Sequence, residues 1–407
     1  MQGGLAGARA SVTVFLAGPL SWGTITTRCW IQLGNAQVHP DSCRWSIRKP
    51  YGRSPRMHLD VILQQAAHLG ASDVHLVPGH VPMVRVDTIM QGLEGAVLTS
   101  ACIEGFMASI VSEAQRTALE NQKDLDLPYA VEGLGRYRVN IHSQRSGFAM
   151  AMRAIRDKVP PLEELNLPGV VQQFAMLPRG LVLVTGDTGS GKSTTLAAIF
   201  QAINGHQRKH IITLEDPVEY TFESRQCLIE QRELGNDMPT FASGLKHALR
   251  QDPDIILVGE MRDLDTTALA MSAAETGHLV LSTLHTVSAS QTVERIIDMY
   301  PASQQNQIRA MLGNTLQAVL SQTLFSRADG NGMVPAVEIL LCTPAVRNLI
   351  RENRTFEIPY VIETSRGLGM TTLDASIAEL CFNGLITSED AVARAVHPVA
   401  MEQALAA

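Results

Sequence analysis

The chain has 407 residues, of which 45% are hydrophobic and 18% charged, a composition typical of a packed globular protein and not of a disordered one. Its net charge of −7 is unevenly spread, because residues 1–56 hold seven Lys or Arg against one acid and the remaining residues therefore carry −13. An acidic body argues against nucleic acid as a partner. The six cysteines include no CxxC pair, which argues against a zinc motif.

Residues 1–56 differ in composition from the rest of the chain and contain all three tryptophans. We interpret them as an atypical basic extension, either disordered or not translated, with Met57 opening the patterned part of the sequence. A signal peptide is the less favoured alternative, although a single arginine precedes the short apolar run at 12–20. The same run falls well below the roughly 20 apolar residues that a membrane-spanning helix needs.

Residues 57–158 are predicted to form an α+β domain. Apolar spacing predicts an amphipathic helix over 58–69, ended by Gly70, and a single helix over 99–119. Short apolar or alternating segments predict four strands, at 74–77, 83–86, 134–142 and 148–155.

Arginines lie on the last two of these strands. Arg136 and Arg138 alternate onto one face of the third strand, and Arg153 lies on the fourth. Exposed strand arginines are usually solvated. In an oligomer, however, Arg138 and Arg153 would be placed to reach a neighbouring subunit's nucleotide and stabilise its developing charge.

A polar segment with paired prolines, 156–161, predicts the boundary of a second domain at 159–407. Its apolar strands alternate with helices, which indicates a parallel sheet covered on both faces. From Pro301 onward the chain is predicted to be mostly helical. The predicted strands are 181–185, 210–214, 254–258 and 278–283, and the predicted helices are 192–203, 241–250 and 266–275.

Residues 186–193 read Gly-Asp-Thr-Gly-Ser-Gly-Lys-Ser and match the phosphate-binding pattern G-x-x-x-x-G-K-[ST]. They follow an apolar strand and open a helix, which is the context that the pattern requires. We therefore predict an ATP site, with Lys192 at the β- and γ-phosphates and Ser193 as a Mg²⁺ ligand. The predicted nucleotide-binding residues are Gly186, Thr188, Gly189, Ser190, Gly191, Lys192, Ser193 and Thr194.

Acids follow two predicted strands. Glu260 comes after the strand 254–258 and is predicted to orient or deprotonate the attacking water, the alternative being an acid in a surface loop. Three acids follow the strand 210–214: Glu215, Asp216 and Glu219. There they would support Mg²⁺, Glu215 above all, and position water. For any one of them alone, a solvated turn is an equally good interpretation.

Two histidines, His278 and His285, flank the strand 278–283. A histidine at the end of a buried strand is more often a hydrogen-bonded packing residue. The alternative is that both sense the γ-phosphate.

In order and spacing, these segments resemble the secretion-type ATPases that drive type II secretion and type IV pili, from Met57 to about residue 395. The matching segments are the P-loop, an acidic box at 212–220, a Walker B run at 249–263 and a histidine box at 274–280. The resemblance implies a PAS-like α+β domain followed by a RecA-like α/β P-loop ATPase domain. It also implies a cytoplasmic homohexamer at the face of the inner membrane, with ATP bound between subunits.

For individual residues, the resemblance implies that Glu260 is the catalytic glutamate and Glu219 a second essential acid. It implies that His278 responds to the nucleotide state and that first-domain arginines act across the subunit interface. Asp187 stands where the family pattern has proline, and Thr88 stands where it has glycine.

Two features resemble the retraction branch of this family. The chain lacks the tetracysteine insert usual in assembly and secretion ATPases, and residues 345–352, Ala-Val-Arg-Asn-Leu-Ile-Arg-Glu, resemble the C-terminal signature of retraction motors. The sequence therefore predicts a motor for type IV pilus retraction. Its predicted partners are an inner-membrane platform protein and a paralogous pilus ATPase. The alternatives are an assembly or type II secretion ATPase and an accessory ATP-binding paralogue without motor activity.

Overall fold

The computed structural model describes residues 58–86, 89–155, 159–330 and 332–406. The predicted basic extension, Thr88 and the first residues of the predicted boundary, 156–158, lie outside this part of the chain. Among the described residues, no helix combines the length and the apolar character needed to cross a membrane.

In the described part of the first region, three helices pack on a six-stranded antiparallel sheet with the strand order β3-β2-β1-β6-β5-β4. The hydrophobic core lies between them, and α1 contributes Leu59, Ile62, Leu63 and Ala66 from one face. The elements are α1 (Leu59–His68), β1 (Asp73–Leu76), β2 (Met83–Val86), β3 (Ile89–Gly92), α2 (Ser100–Ile110), α3 (Glu113–Gln122), β4 (Asp124–Val131), β5 (Gly135–Gln144) and β6 (Gly147–Ile155).

The prediction of one helix over 99–119 was wrong, because the chain forms two helices that meet at Ser112. The Ser112 hydroxyl caps α3 by accepting from the Gln115 backbone N–H, and the Gln115 side chain accepts from the Ser112 backbone N–H. Such a reciprocal cap marks the start of a new helix inside an apolar pattern that otherwise continues. The structure also contains β3 and β4, which were not predicted from the sequence.

The second region is a seven-stranded sheet with the order β13-β12-β7-β11-β10-β8-β9 among the described residues. The elements are β7 (Gly180–Thr185), α4 (Lys192–His206), β8 (His210–Glu215), β9 (Leu228–Glu233), α5 (Phe241–Ala248), β10 (Ile255–Val258), α6 (Leu264–Glu275), β11 (Leu279–Leu284), α7 (Ala289–Asp298), α8 (Ala302–Thr315), β12 (Leu316–Ser326), β13 (Met333–Leu341), α9 (Pro344–Arg351), α10 (Ile358–Thr364), α11 (Leu373–Phe382), α12 (Ser388–Arg394) and α13 (Pro398–Ala406).

The predicted parallel sheet with two covered faces is confirmed for the central strands. Strands β12, β7, β11, β10, β8 and β9 run parallel to one another, and β7, β10 and β11 are buried along their whole length. Helix α4 packs on one face, and α5 to α8 pack on the other. Because carboxyl ends of parallel strands meet at one edge, the segments after β7, β8, β10 and β11 are brought together there.

The prediction that the chain is mostly helical after Pro301 was wrong for residues 316–326 and 333–341, which form the antiparallel strands β12 and β13. Strand β12 pairs in parallel with β7, the strand that leads into the P-loop, and β13 pairs antiparallel with β12. A continuous apolar run is compatible with a buried strand and with a buried helix. Hydrophobic periodicity therefore does not distinguish the two structures here.

Candidate nucleotide-binding and catalytic site

The P-loop lies between the end of β7 at Thr185 and the start of α4 at Lys192. Gly186, Gly189 and Gly191 have φ angles of +138°, +81° and +88°. At Gly186 an added Cβ would lie 2.2 Å from the backbone oxygen of Gln322 on β12. Glycine is therefore required at Gly186 both by its backbone conformation and by the close approach of a neighbouring strand.

Lys192 and Ser190 present their polar groups inside this loop. Lys192 Nζ donates to the carbonyl oxygens of Gly186 and Asp187, each over 2.8 Å, and its side chain is buried. Burial lowers the pKa of Lys192, and the nearby carboxylates of Asp187, Glu260 and Glu219 offset this only in part. Ser190 Oγ is buried and has no hydrogen-bond partner among the described residues.

These groups fit a phosphate ligand. A buried ammonium, an unpaired buried hydroxyl and the free N–H groups at a helix N-terminus are all donors that converge on one loop. An anion accepting from them would satisfy Ser190 and compensate the burial of Lys192.

The P-loop opens onto a cleft of about 750 Å³, a volume in the range of small-molecule binding sites. Both regions of the chain line it. The lining includes most of the residues predicted from the sequence: Arg138, Arg153, Thr188, Gly189, Gly191, Lys192, Ser193, Thr194, Glu215, Glu219, Glu260 and His285.

Glu260 follows β10 and lies between the side chains of Arg262 and His285. One carboxylate oxygen pairs with Arg262, and the other lies 3.4 Å from His285 Nε2. Arg262 also lies 3.7 Å from Asp216. The Glu260 side chain is only 12% exposed, so its orientation is set by these two partners. Arg262 was not predicted from the sequence, although its place two residues after the strand-end acid was a usable signal.

Glu215 and Glu219 differ in environment. Glu215 is buried and accepts from the Thr213 hydroxyl over 2.6 Å and from Gln231 Nε2 over 3.1 Å. Burial raises the pKa of Glu215 despite these bonds. Glu219 is exposed to the cleft, and the neighbouring Tyr220 places its hydroxyl 2.9 Å from that of Thr194.

The described acidic residues of the cleft do not form a metal site made of protein ligands alone. Among the described residues, no group of three or more His, Cys, Asp or Glu side chains is arranged to hold a metal ion. Ser193 and Glu215 nevertheless line the same cleft as the P-loop. Such a donor set fits Mg²⁺, which commonly takes one or two protein ligands and completes its shell with phosphate oxygens and water.

His278 does not lie among the described residues that line the cleft. It precedes β11, where its Nδ1 lies 2.9 Å from the Ala273 carbonyl oxygen, whereas His285 follows β11 at the catalytic edge. The strand between them is six residues long, about 20 Å at the usual rise per residue. Within one chain His278 therefore has a packing role, and its response to the nucleotide state stays a prediction.

Arg138 and Arg153 are directly opposed on β5 and β6, and both line the cleft that holds the P-loop of their own chain. Their predicted action on a neighbouring subunit's nucleotide stays a prediction.

Two further residues, Ser321 and Gln322, brace the P-loop from β12. Ser321 Oγ lies 2.9 Å from Thr185 Oγ1, and Gln322 Oε1 accepts from Thr195 Oγ1 over 2.8 Å. Neither residue was predicted from the sequence, because their segment was predicted to be helical.

A glycine-rich loop with a buried lysine between a buried parallel strand and a helix, facing an oriented strand-end carboxylate, defines a P-loop ATPase. A model of the family described as "Type II/IV secretion system protein" matches residues 55–352. The chain belongs to this family.

Two relatives are similar over most of the chain. The type IV pilus retraction ATPase PilT of Pseudomonas aeruginosa is 45% identical over 342 residues, which cover 84% of this chain and 99% of that protein. A twitching motility protein of Neisseria gonorrhoeae is 45% identical over 320 residues, covering 79% of this chain and 86% of that protein.

The crystal structure of the pilus retraction motor PilT with bound ADP superposes with a TM-score of 0.80 at 41% identity, covering 85% of this chain and 99% of that one. The predicted α/β fold, a two-domain ATPase, is thereby confirmed. The PAS-like assignment of the first domain stays a prediction.

Proposed function

We propose that this chain is a homohexameric motor that hydrolyses ATP to retract a type IV pilus. The observation that carries the proposal is the match to a retraction ATPase along 99% of that relative's length, together with a cleft in which the P-loop faces Glu260. The signature at 345–352, which forms most of α9, supports the retraction branch.

Each group of residues in the cleft has its own role in ATP hydrolysis. The P-loop and Lys192 hold the phosphates of ATP, and Ser193 with Glu215 holds Mg²⁺. When bound, Mg²⁺ neutralises charge on the phosphate oxygens. Glu260, oriented by Arg262 and His285, positions the attacking water and accepts its proton.

The remaining polar residues act on the γ-phosphate side of the cleft. Glu219 is a second acid that helps to orient water. Arg138 and Arg153 reach the phosphates from the first region and stabilise the charge that develops during transfer. Because the cleft is lined by both regions, the presence of the γ-phosphate favours closure of one region on the other, which is how hydrolysis becomes movement.

The partners of such a motor are its own copies, an inner-membrane pilus platform protein and a paralogous pilus ATPase. The hexamer would work at the cytoplasmic face of the inner membrane. We propose no nucleic acid partner, since the chain from Met57 onward is acidic.

The test is complementation in a piliated host that lacks its own retraction ATPase, with labelled pili followed by microscopy. The unchanged chain and Lys246→Ala, an exposed lysine on α5, should restore retraction, and Lys192→Ala should not. ATP hydrolysis and mass are measured in parallel on the purified proteins. Hydrolysis without retraction but with more pili would favour an assembly ATPase, and ATP binding without turnover would favour an accessory paralogue.

A further inference from the structure

Charged side chains form a row across the sheet of the first region, on the face towards the cleft. Asp73 on β1 is directly opposite Arg153 on β6, which is directly opposite Arg138 on β5. Asp126 on β4 lies two residues from Pro128, the direct partner of Arg138, and so shares this face. Two adjacent arginines repel each other, and an aspartate flanks each of them on its outer side.

The two ion pairs differ in strength. Arg153 Nε donates to Asp73 Oδ1 over 2.9 Å, and Asp73, 13% exposed, also accepts from the Ser72 hydroxyl over 2.8 Å. Arg138 Nε lies 3.4 Å from Asp126 Oδ1, with side chains 43% and 53% exposed. Arg153, itself 74% exposed, is therefore held by a short hydrogen bond to a largely buried carboxylate, and Arg138 is held by a longer pair between two exposed side chains.

Arg138 lies on the wall between two cavities. It lines the nucleotide cleft, and it also lines an adjacent cavity of about 220 Å³ together with Asp126, Asp216 and Glu233. Pairing with Asp126 thus orients the guanidinium towards this smaller acidic cavity. A terminal phosphate in the cleft would offer the same guanidinium a more highly charged partner.

We propose that Asp126 is a positioning residue that holds Arg138 beside the smaller cavity until the γ-phosphate of ATP displaces it. Exchange of one weak pair for a charged phosphate contact makes Arg138 a sensor of triphosphate against diphosphate. Asp126 then lowers the affinity for ATP without affecting ADP, which lacks the group that competes for Arg138. This deepens the proposed function and rests on ATP as the ligand of the cleft.

The test is the Kd of the purified full chain for ATPγS and for ADP, each with Mg²⁺, by titration calorimetry. Asp126→Asn should tighten ATPγS binding by about two- to fivefold, the range that loss of an exposed ion pair supports, and leave ADP unchanged. The matched control is Asp124→Asn, an exposed acid on the same strand, which should change neither.

A double-mutant cycle assigns the effect to Arg138. Arg138→Gln should weaken ATPγS binding, and in that background Asp126→Asn should have no further effect. Three results would each overturn the inference. Asp126→Asn could bind ATPγS more weakly, it could change the Kd for ADP as much as that for ATPγS, or it could still change ATPγS binding in the Arg138→Gln background. If the unchanged chain hydrolyses ATP and restores retraction while the cycle shows no coupling, this inference fails and the proposed function stands. If the cycle shows coupling between Asp126 and Arg138 but the unchanged chain does not restore retraction, this inference stands and the proposed function fails.

Discussion

The hydroxyl of Thr195 donates to Gln322 Oε1 over 2.8 Å and so ties the first turn of α4 to β12 beside the P-loop. Gln322 is buried, and its Nε2 would lie 2.7 Å from a Cβ added at Gly191. The shape of the phosphate-binding loop therefore depends on a strand that follows it by more than a hundred residues.

We expect Thr195→Val and Gln322→Leu each to weaken ADP binding by about 5- to 30-fold, because each leaves a buried polar partner without its bond, a loss of about 1–2 kcal/mol. Titration of the two single variants and the double variant measures their coupling. The double variant should lose less binding free energy for ADP than the sum of the losses of the two single variants. Thr323→Val, on the opposite face of β12, is the control and should bind ADP normally. Fully additive losses would contradict a direct coupling of the two residues.

Glu260→Gln should reduce the rate of ATP hydrolysis by about 10²- to 10⁴-fold, since the amide cannot accept a proton from water. The Kd of Glu260→Gln for ATPγS should stay within a few-fold of that of the unchanged chain, because the phosphates are held by the P-loop. Phosphate release and equilibrium titration separate the two effects. Glu275→Gln, an exposed acid at the end of α6, is the matched control. Turnover retained by Glu260→Gln would remove Glu260 from the catalytic role.

Glu338 on β13 is a buried carboxylate that accepts from the Ala289 N–H at the start of α7, over 2.7 Å. Burial and the charge of Asp374 raise the pKa of Glu338 above its ordinary 4.5, while the Ala289 bond opposes them. The folded state therefore binds a proton more tightly than the unfolded state, so the free energy of unfolding falls as the pH rises through the folded pKa.

Glu338→Gln keeps an acceptor for Ala289 and removes the buried charge. We expect its Tm at pH 8 to exceed that of the unchanged chain by roughly 2–4 °C, the shift that about 1 kcal/mol gives a domain of 150–250 residues. The difference should vanish as the pH falls towards 4.5. Thermal scans across this range measure it, with the exposed Glu363→Gln as control. A difference independent of pH would show that the charge is not its cause.

Arg347, within the 345–352 signature, caps the C-terminus of α8. Its Nη1 donates to the carbonyl oxygens of Gly313 and Asn314 over 2.8 and 2.9 Å, and its Nη2 donates to Gln317 Oε1 over 3.1 Å. Since hydrogen bonds from a charged group each contribute about 1.5–3 kcal/mol and these are partly exposed, Arg347→Ala should destabilise the fold by about 1–3 kcal/mol.

Urea unfolding of Arg347→Ala and Arg347→Lys tests this assignment. Lysine keeps the charge but not the planar fork, so it should recover only part of the loss. Arg366→Ala, an exposed arginine in a later turn, should unfold at the same urea concentration as the unchanged chain. Full recovery by lysine would mean that charge alone, and not the forked geometry, supports α8.

Local signals predicted much of the site. The P-loop pattern placed Lys192 and Ser193, and the acid after an apolar strand placed Glu260, because a parallel sheet brings the carboxyl ends of its strands to one edge. Those residues line the cleft. The same signals did not separate His278 from His285, which bracket one strand and differ only in which edge of the sheet they reach.

The sequence by itself determined that the chain carries a P-loop between a buried strand and a helix, since glycine spacing and apolar runs are local properties of the backbone. Only the tertiary structure decided that β12 closes against β7, that Gln322 braces the loop and that Arg262 and His285 orient Glu260. It also decided that Asp126 and Asp73 pair with the two cleft arginines. These contacts join residues far apart in the chain, and their partners are chosen by sheet order and register, which no local pattern encodes.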